Sequence, residues 1–319
     1  MLLLDRATLA ELLDVGDVIA AVEGAFAAHA RGETLMPPKV YLPLPQHGGD
    51  LRAMPAYVRG AAGVKWVNSH PRNPAEHGLP TVMGIVILSD PRTGEPLALM
   101  DGGIVTSLRT GAAAAVATRH LARSDARTLG QIGCGAQALH LVRSVAAVRR
   151  LDEIVLYDRD PARAEALVAR LAPLSARVGR LEEAAAGDVV TTATPGLGPV
   201  VRAEMVRPGA HLNAMGADGP GKQELDIALL GRARVIVDDL EQARHGGEIN
   251  VALAGGQFGE EEIAATLGDV IVGHTVGRER ADQITLFDST GLAIQDVATA
   301  QLAYDRARGL GVGQEIRLS

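Results

Sequence analysis

Apolar residues recur at helical spacing near the start of the chain. Over residues 8–31 the leucine, isoleucine, valine and phenylalanine side chains fall three or four positions apart, which predicts one amphipathic helix that ends at Gly32. Prolines and glycines then separate short β-like runs, at 39–44, 51–57, 62–68, 82–88 and 96–100. This part of the chain therefore predicts a mostly antiparallel sheet.

Strands and helices alternate in the rest of the chain. A helix of small residues is predicted at 106–122 and a last helix at 291–309. Between them we predict strands at 128–132, 153–157, 188–192, 211–213, 235–237 and 284–287, and helices at 136–149 and 161–172. This alternation is typical of a doubly wound parallel sheet. The predicted fold class is α/β, with a Rossmann-type sheet that follows a β-rich part.

Composition narrows the class of protein. The chain has 319 residues, of which 47% are hydrophobic and 22% charged, so it can bury a large core and is not a disordered chain. Its net charge of -7 argues against a general nucleic-acid binder. The single cysteine excludes an internal disulfide, and the nine histidines show no ligand spacing, so we expect no metal site.

The N-terminal segment gives no sign of a targeting or membrane-spanning element. The acids Asp5 and Glu11 interrupt it, so it lacks the long apolar region of a signal peptide. No stretch reaches the roughly 18 uncharged apolar residues that a membrane span needs. We therefore expect a cytoplasmic protein with no membrane partner.

A glycine-rich loop follows the predicted strand at 128–132. Gly133, Gly135 and Ala138 form a GxGxxA pattern, in which the first glycine makes a tight turn and the second lets the backbone approach a pyrophosphate. The following helix would offer its N-terminal N–H groups and its positive dipole to the phosphates. The pattern predicts a dinucleotide site; the alternative is a tight turn without a ligand.

Asp158 bears on the choice of dinucleotide. It ends the next predicted strand, 25 positions after Gly133. A carboxylate there accepts from the ribose 2′-hydroxyl and repels a 2′-phosphate, which favours NAD over NADP. Arg159 and Arg163 weaken this preference, because an arginine beside the acid could hold a phosphate.

Lysine is rare in this chain. Of the 31 basic residues, only Lys39, Lys65 and Lys222 are lysines. Such positions can require a compact ammonium whose pKa burial can tune; the alternative is a codon bias. Lys65 lies in an apolar β-like run and is either exposed at an edge or buried with a partner. If it is buried, desolvation lowers its pKa towards a range useful for acid–base chemistry.

Three more charged residues are candidates for a site. Asp218 follows a predicted strand in a glycine-rich loop, at the sheet edge where open α/β proteins bind ligands, although aspartate is also common in simple turns. Arg109 is placed at the start of the 106–122 helix, where a cation is usually disfavoured and could answer an anion. Arg52 alternates with apolar neighbours, which is typical of an outward-facing arginine.

Five separated segments match one known family, at 65–71, 107–113, 133–138, 216–226 and 287–293. With them the chain resembles the ornithine cyclodeaminase/μ-crystallin family over nearly its whole length. Residues 237–250 are most similar to its archaeal-type alanine dehydrogenase branch. Several long matches in one order are far more specific than any single motif.

The resemblance implies a two-domain fold. Residues 113–291 would form the dinucleotide-binding Rossmann domain. Residues 1–112 with 292–319 would form a β-rich domain that binds the substrate and makes a homodimer. We therefore expect a small-molecule substrate and a second copy of the chain as the partners.

The resemblance also implies roles for individual residues. Lys39 matches a residue that binds the substrate carboxylate, Lys65 the lysine beside the reacting carbon, Asp218 the acid/base residue, and Thr290 a residue that touches substrate. With Gly133 and Gly135, the implied cofactor contacts are Thr81, Arg109, Ala136, Gln137, Asp158, Thr194, Met215, Lys222 and Ser289.

Arg52 helps to choose within the family, because it stands where the cyclodeaminase carries a glutamate that holds the distal amine of ornithine. An arginine would repel that amine and, with Lys39, could bind a carboxylate. The resemblance thus implies NAD-linked interconversion of a small L-amino acid, alanine being the best match, and its 2-keto acid plus ammonia, by hydride transfer through an imine. The alternatives are ornithine cyclodeaminase, a cyclic imine (pyrroline-2-carboxylate) reductase, and a non-catalytic ligand-binding protein.

Overall fold

The computed structural model describes residues 1–317, apart from the side chain of Leu197. In chain order its elements are β1 (Leu2–Leu4), α1 (Arg6–Leu12), α2 (Val15–Ala30), β2 (Thr34–Leu35), β3 (Val40–Leu44), β4 (Gly49–Val58), β5 (Ala61–Ser69), α3 (Asn73–Glu76), β6 (Gly84–Ser89), β7 (Pro96–Asp101), α4 (Gly102–Leu121), β8 (Thr128–Ile132), α5 (Ala138–Val148), β9 (Glu153–Tyr157), α6 (Pro161–Leu171), β10 (Ala176–Val178), α7 (Leu181–Ala185), β11 (Val189–Thr192), β12 (Leu197–Val201), β13 (His211–Ala214), β14 (Gln223–Leu225), β15 (Ala233–Val237), α8 (Leu240–Gly246), α9 (Asn250–Ala254), β16 (Ile263–Thr266), α10 (Leu267–Ile271), β17 (Ile284–Asp288), α11 (Ala293–Leu310) and β18 (Gln314–Glu315). These elements form two compact units, Met1–Arg109 together with the chain from Leu292 onward, and Thr110–Gly291.

The first unit is built on an eight-stranded sheet. Its strands follow the order β18-β1-β7-β6-β5-β4-β2, and β3 pairs with β4. All neighbours are antiparallel except β1 and β7. Helix α11 packs on β4, β5 and β6 and against α2, so the end of the chain closes the core of its first part.

The two faces of this sheet differ in burial. Met54, Lys65, Val86 and Met100 lie side by side on neighbouring strands, and all four are at most 4% exposed. On the opposite face Trp66 and its cross-strand neighbour Ile85 remain exposed. Lys65 is therefore one member of a buried row that is otherwise apolar.

The first helical segment is divided, which corrects the prediction of one helix over 8–31. Helix α1 begins after Asp5, whose carboxylate accepts from the Thr8 N–H, and α2 begins after Asp14, which accepts from the Gly16 N–H. The second cap breaks the helix, because an aspartate at an N-cap adopts extended backbone.

The second unit contains an eight-stranded sheet in the order β10-β9-β8-β11-β13-β17-β15-β16. Every neighbouring pair in it is parallel. The chain order reverses direction between β8 and β11, and open α/β sheets bind ligands at the carboxyl ends of the strands at such a point. This sheet confirms the predicted Rossmann-type α/β class.

Helix α4 begins earlier than the sequence predicts. The Asp101 carboxylate accepts from the Ile104 N–H at 2.8 Å, and the helix starts at Gly102 rather than at residue 106. Arg109 thus lies two turns inside the helix, so the expectation of a cation at a helix start is wrong. The helix dipole acts mainly on the first and last turns and does not explain Arg109.

Within residues 1–317, no helix combines the length and apolar character that a membrane-spanning segment requires. Within the same residues, no group of three or more histidine, cysteine, aspartate or glutamate side chains is arranged to hold a metal ion.

Candidate active site

Lys65 is the central charged group of the first unit. It lies on β5, is 1% exposed, and its Nζ forms an ion pair with Oδ2 of Asp296 on α11 at 2.7 Å. Thr106 Oγ1 lies 3.4 Å from the same nitrogen. Burial, with the nearby Arg109 charge, lowers the pKa of Lys65 to about 7, although Asp296 opposes this change. The amine can therefore gain and lose a proton near neutral pH.

Arg109 binds the same carboxylate as Lys65. Its Nε donates to Asp296 Oδ1 at 3.1 Å and its Nη1 donates to Gln295 Oε1 at 3.0 Å. The anion that balances the Arg109 charge is therefore the Asp296 carboxylate of the protein itself. Both oxygens of Asp296 are engaged by cations from different parts of the chain.

Lys39 and Arg52 complete the basic groups of this unit. Lys39 directly precedes β3 and is near enough for its charge to lower the pKa of Lys65. Arg52 is 7% exposed, donates to Asp50 at 2.6 and 3.0 Å, and its guanidinium carbon lies 5.1 Å from the centre of the Tyr41 ring. It is buried rather than outward-facing, because Asp50 compensates its charge.

Thr81 lies in the segment before β6. Its carbonyl oxygen accepts from the His70 N–H at 2.8 Å, which fixes this segment to the end of β5. The first unit thus brings Lys65 and Arg109 onto one carboxylate, and Lys39 is close enough for its charge to act on Lys65. This excess of positive charge suits an anionic ligand such as a carboxylate.

The glycine loop of the second unit has the geometry that its pattern predicts. Gly133 has a φ of 88°, and a Cβ there would lie 2.6 Å from the carbonyl oxygen of Ala193. Around Gly135, by contrast, no described atom outside Gly135 and its two chain neighbours lies within 4 Å of a Cβ position. The protein's own packing therefore explains the first glycine and leaves space at the second.

Helix α5 begins directly after this loop. Gln137 is its N-cap and makes no side-chain hydrogen bond to the first-turn N–H groups among the described residues. Ala136 is exposed beside it. The first-turn N–H groups of a helix attract anions, so this start suits a phosphate.

Asp158 lies at the end of β9, next to the glycine loop. Its carboxylate accepts from the Cys134 N–H at 2.8 Å and from the Asp160 N–H at 2.9 Å. Burial, and then the Asp158 charge, raises the pKa of the Cys134 thiol to about 12, so this cysteine stays protonated. Arg163 is paired with Asp160 at 3.5 Å rather than with Asp158.

Asp218 lies in the loop after β13, where it forms an ion pair with Lys222. Asn250 holds the end of this loop, because its Oδ1 accepts from the Gly221 N–H and its Nδ2 donates to the Lys222 carbonyl, both at 2.9 Å. Lys222, a predicted cofactor contact, is therefore paired with Asp218, the predicted acid/base residue.

Glu224 holds the other end of the same loop. Its buried carboxylate accepts from the Gly216 N–H at 2.7 Å, the Thr194 N–H at 2.6 Å and the Thr192 hydroxyl at 2.7 Å. Burial raises its pKa, and these donors oppose the change. One side chain thus ties together the loops that carry Thr194 and Met215.

Asp238 likewise holds neighbouring loop segments together, at the ends of β15 and β17. It accepts from the Thr290 N–H at 2.7 Å, the Thr290 hydroxyl at 3.0 Å and the Ser289 hydroxyl at 3.5 Å. Both residues are buried. The Thr290 hydroxyl is therefore oriented by the protein.

Four of these groups were not predicted from the sequence: Asp296, Glu224, Asp238 and Asn250. The sequence does contain a pattern that could have identified Asp296, because this residue lies among Ala293, Ile294 and Val297 on one helix. An acid among apolar residues indicates a buried partner. The positions that the resemblance implies as cofactor contacts remain predictions, and the open loop, the uncapped α5 start and Asp158 fit a dinucleotide.

The chain is similar to members of one family over nearly its whole length. The model of the ornithine cyclodeaminase/mu-crystallin family matches residues 1–311. Alanine dehydrogenase of Archaeoglobus fulgidus is 50% identical over 318 residues, which cover 99% of this chain and 98% of that protein.

Two solved structures are similar over nearly the full length. An archaeal alanine dehydrogenase dimer with bound NAD has a TM-score of 0.96 and 50% identity, and the match covers 100% of this chain and 99% of that chain. Thermococcus litoralis Δ1-pyrroline-2-carboxylate reductase, solved with NADH and L-proline, has a TM-score of 0.95 and 36% identity, covering 99% and 100%.

The glycine loop generates a first prediction. Gly135→Ala should leave the melting temperature unchanged, because its methyl group meets no described atom of the protein. It should raise the dissociation constant of NADH about tenfold or more, since the methyl occupies space that a pyrophosphate needs. NADH fluorescence titration and thermal unfolding measure the two effects.

Gly231→Ala is the matched control, because a Cβ there also meets no described atom and the residue lies outside the loop. It should change neither quantity. Unchanged NADH affinity in Gly135→Ala would contradict the assignment of this loop.

Proposed function

Because the chain belongs to the ornithine cyclodeaminase/mu-crystallin family, we propose that it is an NAD-dependent amino-acid dehydrogenase. It interconverts a small L-amino acid, alanine being the best match, and its 2-keto acid plus ammonia through an imine. The observation that carries this proposal is the 50% identity to an alanine dehydrogenase over 99% of the chain.

The basic groups of the first unit bind the substrate. Lys39 and Arg52 hold the carboxylate and thereby orient the α-carbon. Asp50 already compensates part of the Arg52 charge. The exclusion of a distal ammonium by Arg52 is therefore weaker than its sequence position alone indicates.

Lys65 and Asp218 move protons. When bound, the dinucleotide supplies the nicotinamide that accepts the hydride from the α-carbon in oxidation and returns it in the reverse direction. In oxidation, water adds to the carbon of the substrate imine, and the C–N bond of the resulting carbinolamine then breaks to release ammonia. The neutral Lys65 amine and the Asp218 carboxylate accept protons from the attacking water and return one to the departing nitrogen. Lys222 orients the Asp218 carboxylate through their ion pair, and the Thr290 hydroxyl contacts the substrate.

NAD is the cofactor. Asp158 presents a carboxylate at the end of β9, where it repels a 2′-phosphate. Arg163 does not offset this charge, because it is paired with Asp160. The cofactor contacts are those that the resemblance implies, with the Gly135 region and the α5 start holding the phosphates.

Reduction of a cyclic imine is the second candidate function. It uses the same transfer to an imine carbon, without addition of water. The 36% identical Thermococcus litoralis reductase, solved with L-proline, favours it as the alternative. An ornithine cyclodeaminase activity is a weaker alternative, because Arg52 replaces the glutamate expected there.

The chain forms a homodimer through the exposed face of the first sheet. Val40, Trp66 and Ile85 lie on this face in one row across β3 to β6, and they are 62%, 40% and 40% exposed. Large apolar side chains grouped on one sheet face are typical of a protein interface. The similar archaeal enzyme is a dimer.

A substrate panel tests the proposed function. Purified protein with NADH and ammonium should consume NADH when pyruvate is added, as followed by NADH absorbance. Loss only with pyrroline-2-carboxylate would assign the imine reductase activity instead. Ammonia and proline formed from L-ornithine without net NADH would contradict both and assign a cyclodeaminase.

Asp218→Asn should fold and bind NADH as the wild type does, yet lose about 10²- to 10⁴-fold in kcat, because one of the two proton acceptors is gone. Steady-state kinetics and NADH titration measure these quantities. Asp226→Asn is the control, because Asp226 only caps the following turn at the Ala228 N–H and asparagine caps equally well. Retained turnover in Asp218→Asn would remove Asp218 from the chemistry.

Trp66→Glu and Ile85→Glu should each convert the dimer to a monomer, because they place a charge in the apolar face. Light scattering after size exclusion measures the mass. Leu310→Glu is the control, since Leu310 is 70% exposed at the end of α11 and away from this face. Dimers that persist in both variants would rule out this interface.

A further inference from the structure

Asp296 is a buried carboxylate that the proposed chemistry does not use directly. Its exposed fraction is 0%, and its two oxygens lie 2.7 Å from Lys65 Nζ and 3.1 Å from Arg109 Nε. Since both oxygens face cations, the carboxylate is not placed to exchange protons with a substrate. Its contacts are instead with two residues of the candidate site.

The first turn of α11 holds Arg109 at a second point. Gln295 accepts from Arg109 Nη1 at 3.0 Å and also accepts from the Leu292 N–H at 3.3 Å. Gln295 therefore fixes the orientation of the Arg109 guanidinium, and Asp296 balances its charge. The Thr106 hydroxyl on α4 lies 3.4 Å from Lys65 Nζ and also restricts the position of this amine.

The charges that face Lys65 come from three places. Arg109 on α4 and Lys39 before β3 are like charges that disfavour its ammonium form, and Asp296 on α11 favours it. Without Asp296, the buried Lys65 and Arg109 charges would repel each other with no opposing charge from α11. Removing one partner of a buried ion pair strongly destabilises the folded protein, because the remaining charge is left without compensation.

We propose that Asp296 is a positioning residue, which fixes the Lys65 ammonium and the Arg109 guanidinium against each other and supplies the negative charge that allows both to be charged at once. The proposal rests on the proposed function, in which Lys65 moves a proton at the substrate. Asp296 acts through Lys65 and Arg109 and does not itself contact the reacting atoms.

The test measures Lys65 directly. The chain has only the lysines 39, 65 and 222, so protein labelled with ¹⁵N-lysine gives few side-chain signals, which Lys39→Arg and Lys222→Arg variants assign. In Asp296→Asn the Lys65 titration midpoint should fall by about 1 to 3 pH units, because an opposite charge in contact is removed. Asp305→Asn, an exposed change on the same helix, should leave it in place. An unchanged midpoint in Asp296→Asn would overturn the proposal.

Kinetics supply the second measurement. Because neutral Lys65 accepts the proton in oxidation, kcat of the wild type rises with pH through the Lys65 midpoint. In Asp296→Asn this rise should move to lower pH by the same amount as the NMR midpoint, and kcat should fall at least about tenfold while KM changes little. A rise at the wild-type pH would contradict the proposal.

Asp296→Glu keeps the charge and tests position alone, including the case in which Asp296→Asn fails to fold. Its Lys65 midpoint should stay near that of the wild type, while kcat falls because the longer side chain displaces Lys65 and Arg109. Wild-type kcat in this variant would overturn the positioning role. The NMR titration needs no turnover, so a wild type inactive on every substrate would refute the proposed function and leave this proposal to be decided separately.

Discussion

Buried carboxylates determine where the functional groups of both units lie. A carboxylate removed from water is strongly destabilising unless donors or cations compensate it, so it fixes the groups that surround it. Asp296 fixes Lys65 and Arg109 in the first unit. In the second unit, Glu224 fixes the loops after β11 and β13 through backbone N–H groups. The same constraint therefore orders a pair of side chains in one unit and the edge of a parallel sheet in the other.

The chemistry follows from a balance at Lys65. Its strand neighbours Met54 and Val86 exclude water, which lowers its pKa, and the Asp296 charge raises it again. The result, a pKa of about 7, lets one amine take part in proton transfer in both directions of a reversible reaction. An arginine at this position would stay protonated, which explains why lysine stands here in a chain with only three lysines among its 31 basic residues.

Local patterns predicted the parts of this protein that depend on near neighbours. The βαβ alternation predicted the parallel sheet, and the glycine spacing predicted the loop at Gly133. The apolar surroundings of Lys65 left two alternatives, an amine exposed at an edge or one buried with a partner, and the structure shows the second. The partner itself lies more than 200 positions along the chain, on a helix with no motif of its own, so its identity required the fold. The start of α4 was misjudged because Asp101 caps it through a side-chain contact that helical spacing does not reveal.

The most direct test of this account follows the hydrogen on the substrate α-carbon. L-alanine carrying deuterium at that carbon is incubated with the protein and NAD, and the reduced cofactor is analysed by mass spectrometry. If the hydride comes from the α-carbon, the NADH formed carries the deuterium, and the rate shows a primary isotope effect when transfer limits turnover. NADH without deuterium, or deuterium released to solvent in its place, would contradict hydride transfer from a small L-amino acid on this protein.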